Sequence, residues 1–109
     1  MDRDLFGVCP FATAQRLIQG KLAILILHHL SEGTLRFNEL RRKLPKMTHA
    51  TLSAQLKQLE AEGLVIRTEY PQIPPRVEYS LSEIGRAFEP VLESIRVWGS
   101  EYIEYLNSR

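Results

Sequence analysis

A single cysteine, Cys9, stands in 109 residues, which excludes an internal disulfide and fits a reducing compartment. No apolar run approaches the ~20 residues that a membrane-spanning helix needs. Leu22 to Leu30 is strongly apolar but too short, and His28 and His29 end it, so it reads as the buried central helix of a domain. Met1 to Val8 is charged and too short for the apolar core of a secretory signal, so a cytoplasmic protein is expected. There is no Gly-rich phosphate loop, no Ser-His-Asp set that can be placed and no acid pair with a cleft, so an enzyme is not expected. His28 and His29 are adjacent and point about a quarter turn apart on a helix. His49 lies far along the chain, and no His/Cys spacing matches a zinc pattern, so neither metal nor cofactor is expected. Internal repeats and low-complexity segments are also missing.

A strong excess of charge is lacking too, since the net charge is only +1. Its distribution is uneven, however. From Arg36 to Arg76 there are eight Lys or Arg against four Glu, whereas from Glu83 onward five Glu face three Arg. The basic excess therefore falls on the middle of the chain, as an anion-binding head would require.

That middle carries a pattern. Phe37 to Leu44 is a short helix with Phe37, Leu40 and Leu44 at helical spacing and Arg41, Arg42 and Lys43 between them. Pro45 ends it, because proline disfavours helical geometry in the preceding residue. Lys46 and Met47 fill a turn, and Thr48 is placed to cap the next helix. There Leu52, Leu56 and Leu59 share one face, while Ala50, Thr51, Ser53, Ala54, Lys57 and Gln58 fall on the other sides. Gly63 is the expected left-handed stop. Short polar side chains outward suit the major groove of DNA, although an ordinary amphipathic surface helix has the same pattern.

Leu64 to Tyr70 is rich in β-branched and aromatic residues and reads as a strand. Pro71-Gln72-Ile73-Pro74-Pro75 must turn, and Arg76 to Leu81 alternates again with Val77, Tyr79 and Leu81 on one face. A hairpin directly after such a helix is a wing. Arg67 and Arg76 on it can reach phosphates or the minor groove, or merely guard a solvated sheet edge. The expected class is mainly α with a small β-hairpin (α+β), a winged helix-turn-helix with N- and C-terminal dimerisation helices. As one domain over 1–109, it divides into N-terminal helices at 12–33, helix-turn-helix at 37–63, wing at 64–81 and a C-terminal helix at 83–107.

Ser82 can cap that last helix, and Pro90 should kink it or split it in two. Its apolar residues, including Ile84 and Ile103, outlast what a small winged domain can cover. Phe88, Val91, Leu92, Ile95, Trp98, Tyr102 and Leu106 are therefore expected at a dimer interface, together with a first helix at roughly Ala12 to Gln19. Cys9 sits just before that first helix, where amide groups and the helix dipole can activate a thiol, with Arg3 and Arg16 near in sequence. It reads either as a sensor of oxidants or electrophiles, or as a small inert thiol packed beside Phe11.

Nearly the whole chain resembles the HxlR family of small bacterial regulators, relatives of the MarR group. The match runs through Cys9-Pro10, Gly20-Lys21, Leu25-Ile26-Leu27, Leu35 to Arg42, Thr51-Leu52-Ser53, Gln55 to Glu60, Gly63-Leu64-Val65, Pro74 to Ser82, Gly85-Arg86 and Trp98-Gly99. Leu22 departs from the family, whose members usually carry tryptophan after the Gly-Lys pair; the swap is apolar for apolar and bears on core packing. Ala50 stands where many members carry a basic residue, which weakens or redirects one DNA contact. The resemblance implies a homodimeric transcriptional regulator, a repressor by default, on double-stranded DNA with a palindromic operator; in several members a cysteine at the position of Cys9 senses oxidants. Thr48, His49, Thr51, Ser53, Ala54, Lys57 and Gln58 are expected to enter or edge the major groove, and Arg36, Arg41, Arg42, Lys46, Arg67 and Arg76 to hold phosphates. An oxidant or small-molecule effector fits this reading. The competing one is a winged-helix module that binds another protein and no specific DNA.

Overall fold

The computed structural model describes residues 5–109, so Arg3 and part of the Met1 to Val8 segment lie outside it. Two N-terminal helices, α1 (Pro10–Ile18) and α2 (Ala23–Ser31), are followed by a two-residue strand β1 (Leu35–Arg36). Helices α3 (Phe37–Lys43) and α4 (His49–Ala61) come next. Strands β2 (Val65–Tyr70) and β3 (Arg76–Leu81) form the wing, and α5 (Glu83–Arg86) and α6 (Glu89–Asn107) end the chain. No helix among the described residues is long and apolar enough to cross a membrane.

Local chemistry fixes each boundary. Glu39 accepts from the Arg36 amide at 2.8 Å and starts α3, and Leu44, extended before Pro45, ends it. Thr48 caps α4 by accepting from the Thr51 amide at 3.1 Å. At the other end Gly63, with φ of +82°, closes a Schellman turn. Its amide donates to Glu60 and the Leu64 amide to Leu59, both at 3.0 Å. The turn between α3 and α4 is held by Arg41, whose Nε donates to the Met47 carbonyl at 3.3 Å. Leu22 alone among the described non-glycine residues has a positive φ, 58°, at the start of α2.

The core lies where α2, α3 and α4 meet the sheet. Ile26, Leu27 and Leu30 of α2 pack with Leu40 of α3 and with Leu52, Leu56 and Leu59 of α4. Leu64, Val65 and Leu81 close the sheet side. The sheet has three antiparallel strands in the order β1-β3-β2, where the sequence suggested a hairpin alone. Leu35 pairs with Tyr79 and Arg36 with Glu78, while β2 and β3 run in register from Val65 opposite Leu81 to Tyr70 opposite Arg76.

The C-terminal helix is split. Ser82 caps α5 by accepting from the Gly85 amide at 3.1 Å, and the chain bends before Pro90, which sits in the first turn of α6. Proline is tolerated there because the amide it lacks has no helical partner. Phe88 and Leu92, expected at a dimer interface, pack instead against the chain's own core, Leu92 within it and Phe88 on its edge. In helical projection they are turned by about a quarter turn from Val91 and Trp98, with Ile95 between the two sets.

Candidate nucleic-acid interface

The outward side of α4 follows from its buried side. With Leu52, Leu56 and Leu59 inward, the opposite direction at 100° per residue is taken by Ala50, Ala54, Lys57 and Ala61, all exposed. Three alanines around one lysine leave the helix backbone open to close approach. Ser53 and His49 lie on one flank; Thr51 and Gln58 lie on the other. His49 is exposed, and its ring meets that of Phe37 of α3 at 4.4 Å with a tilt of 39°, so the starts of the two helices are braced by a pair of rings. Thr48 and Thr51 bond to one another at 2.9 Å in addition to the cap, and neither hydroxyl is idle.

Not every expected contact residue is free. Gln58 donates to Glu62 at 2.8 Å and lines a recess with Arg16, Gly20 and Gln55, on the side facing α1 and α2. Arg41 is engaged with the turn, as described above. Arg67 donates to Glu69 at 3.3 Å, and the Tyr79 hydroxyl first, then Glu69, hold its pKa above the ordinary value.

Three other cations share one cleft. Arg36 of β1 and Arg42 of α3 line it with Glu39 and with Pro75, Arg76 and Val77 at the tip end of the wing. Arg76 is half-buried, with its guanidinium over the Tyr70 ring at 4.2 Å and its Nε 3.6 Å from Glu78. It is therefore a cation fixed beside the turn of the wing, at the last strand pair before the tip. Lys46 is exposed in the turn before α4. Tyr70 and Phe37, which position Arg76 and His49, were not singled out in the sequence, because only the strand register and the angle between α3 and α4 bring them there.

Cys9 is half-buried at the N-cap of α1, where its carbonyl accepts from the Thr13 amide at 2.9 Å. Thr13 also accepts from the Gly7 amide at 2.8 Å, and Arg16 lies over the Phe6 ring at 4.3 Å, so the turn before α1 is tied to the helix. At the end of α2, burial first and then His28 push the His29 imidazole below its ordinary pKa, against a smaller opposing effect of Glu32.

A basic head built of a short helix, a turn, a second helix with a bare outer face, and a wing defines a winged helix-turn-helix transcriptional regulator. The family model described as HxlR-like helix-turn-helix matches residues 17–107, and the chain belongs to that family. It is 46% identical over 99 residues to the HTH-type transcriptional regulator YdeP of Bacillus subtilis (strain 168), covering 91% of this chain and 77% of that one. It is similar to the structure of the redox regulator HypR in its reduced form, with a TM-score of 0.86 and 41% identity over 92% of this chain and 99% of that one. Against the oxidized form of HypR the TM-score is 0.80, with 43% identity over 85% of this chain and 96% of that one. These relatives are regulators and not enzymes, and they do not favour the reading of a protein-interaction module.

Proposed function

We propose that the chain works as a homodimer on a palindromic DNA operator in the cytoplasm, that it represses transcription, and that Cys9 carries an oxidant or electrophile signal. The observations that carry the DNA reading are the outer face of α4, where Ala50, Ala54 and Lys57 stand exposed, and the cleft that gathers Arg36, Arg42 and Arg76. Ala54 and Lys57 approach base edges; His49 and Ser53 edge the groove, and Arg36, Arg42, Lys46 and Arg76 set the height of the head on the phosphates. Repression is the simplest consequence of a small dimer seated on a promoter.

Fluorescence anisotropy on DNA from immediately upstream of the gene, over a salt series, is the test. A dimer holding 6–10 phosphates should lose about 10³-fold or more in affinity between 50 and 200 mM salt. Lys57→Ala should weaken binding about 10-fold, the cost of one lost base contact. Arg76→Ala should lower the salt slope by about one and leave sequence preference nearly intact. Two variants that bind as tightly as the parent, with the parent's slope, would refute the assignment.

The support for the dimer is exposed apolar surface. Only Leu92 of the nineteen residues in α6 is buried, and α1 buries none. The steps from Val91 to Ile95, Trp98, Tyr102 and Tyr105 alternate four and three residues, the spacing of a coiled-coil seam. Two heads on one two-fold axis would then stand ~34 Å apart, one turn of DNA.

The Cys9 reading is supported by its place at the start of α1 and by likeness to a redox regulator. With one cysteine per chain, two thiols can form a disulfide only across two chains or with an external thiol. Across two chains, a peroxide takes up two electrons and two protons, one S–S bond forms and water leaves. Cys9→Ser should abolish any change in anisotropy on mild oxidation while leaving reduced binding intact. An oxidant response that survives in Cys9→Ser would exclude it as the sensor.

A further inference from the structure

We propose that the last turn of α2 is a divalent transition-metal site, with His28, His29 and Glu32 as protein ligands and zinc as the ion the set suits best. Glu32 is four residues after His28 and three after His29, so in helical projection it lies between the two imidazoles and within reach of both. One ligand atom from each residue falls within 4.8 Å of the other two. The His28 Nε2 to Glu32 Oε2 distance is 3.9 Å, and the two rings stand 4.9 Å apart, tilted by 50°. Spacing among histidines and cysteine does not reveal this cluster, because its third donor is a carboxylate.

Two observations separate it from a merely solvated helix end. The donors are two ring nitrogens and one carboxylate, the mixed set that zinc, nickel and copper take, not the all-oxygen set of calcium or magnesium. In addition, His29 Nδ1 is buried and makes no hydrogen bond. A buried polar atom left so costs about 1–3 kcal/mol, and a metal bond would remove the deficit if made through that nitrogen.

Ligands at ~2.0–2.2 Å from a tetrahedral zinc stand roughly 3.4 Å apart, so the three groups must close by about an ångström. His28 and Glu32 are exposed and free to turn. Three protein ligands leave the fourth position to water. The site opens on a cleft of about 380 Å³ between α2 and α6, whose far wall carries Glu89, Glu93 and Arg96. The proposal does not depend on the DNA reading.

The test is a zinc titration of the chelator-treated full chain, by competition with a chromophoric chelator, on the parent, on Cys9→Ser and on the double variant His28→Gln/Glu32→Gln. The expected result is one zinc per chain at micromolar affinity or tighter, kept in Cys9→Ser and weakened at least about 100-fold in the double variant, more than loss of an outer-sphere partner costs. Both replaced residues are exposed, and far-UV circular dichroism checks that the double variant is folded. Absence of binding in the parent, unchanged binding in the double variant, or loss of binding in Cys9→Ser would each overturn the proposal.

Discussion

Gly85→Ala is expected to destabilise the chain by more than about 3 kcal/mol, a large part of the 5–15 kcal/mol that holds a domain of this size. Gly85 is buried in α5, and a Cβ there would meet the Leu64 carbonyl oxygen well inside van der Waals contact. That carbonyl cannot easily withdraw. It accepts from the Ser82 amide at 3.0 Å, and the Ser82 hydroxyl donates to the neighbouring Gly63 carbonyl while accepting from the Gly85 amide. The added methyl therefore presses on main chain held from both sides, where a flexible side chain would have yielded. Gly63→Ala makes the comparison. Its Cβ meets nothing within 4 Å, and the only cost is the left-handed φ of +82°, about 1–2 kcal/mol. Urea denaturation of both variants measures the difference, and equal losses would rule out the clash as the cause.

Trp98→Asp is expected to separate the proposed dimer without disturbing the fold. In one chain the Trp98 ring is 65% exposed, so its own fold gains little from it. It stacks on Tyr102 at 5.5 Å, and Tyr102 meets Tyr105 at 5.4 Å, an aromatic ladder on the seam face of α6. Large rings at the centre of an interface are where binding energy concentrates, and a carboxylate there would be desolvated without a partner. Sedimentation should give a dimer for the parent and a monomer for the variant at micromolar concentration, with circular dichroism unchanged. Operator affinity should fall by about 10²-fold or more, because the second half-site is no longer bound at high effective concentration. A variant that stays dimeric would move the interface off this face.

The parts of the fold that were legible in the sequence are those set by neighbours along the chain. Thr48, Gly63, Ser82 and Pro45 mark element ends by interactions within a few residues, and the leucine period of α4 needs only its own helix. What was not legible depends on distant partners. Strand β1 is two residues long and exists only because β3 lies beside it. Phe88 and Leu92 share a continuous apolar stripe with Val91, Ile95 and Trp98, and periodicity does not tell whether a residue is covered by its own chain or by another. The cations divide in the same way. Lys57 could be placed from the helix alone, whereas the anchoring of Arg76 on Tyr70 needed the wing register, and the engagement of Gln58 with Glu62 needed the side chains.

The junction around Leu64 has a mechanical meaning. The end of α4, the root of the wing and the start of α5 are pinned within a few atoms of one another by Ser82 and the bare α-carbon of Gly85. Helix α5 is a single turn, and the bend at Phe88 joins it directly to α6. This short segment is therefore a crank between the two long levers of the molecule. A twist applied along α6 would reach the trailing end of α4 through main chain, with no loose side chain between to absorb it.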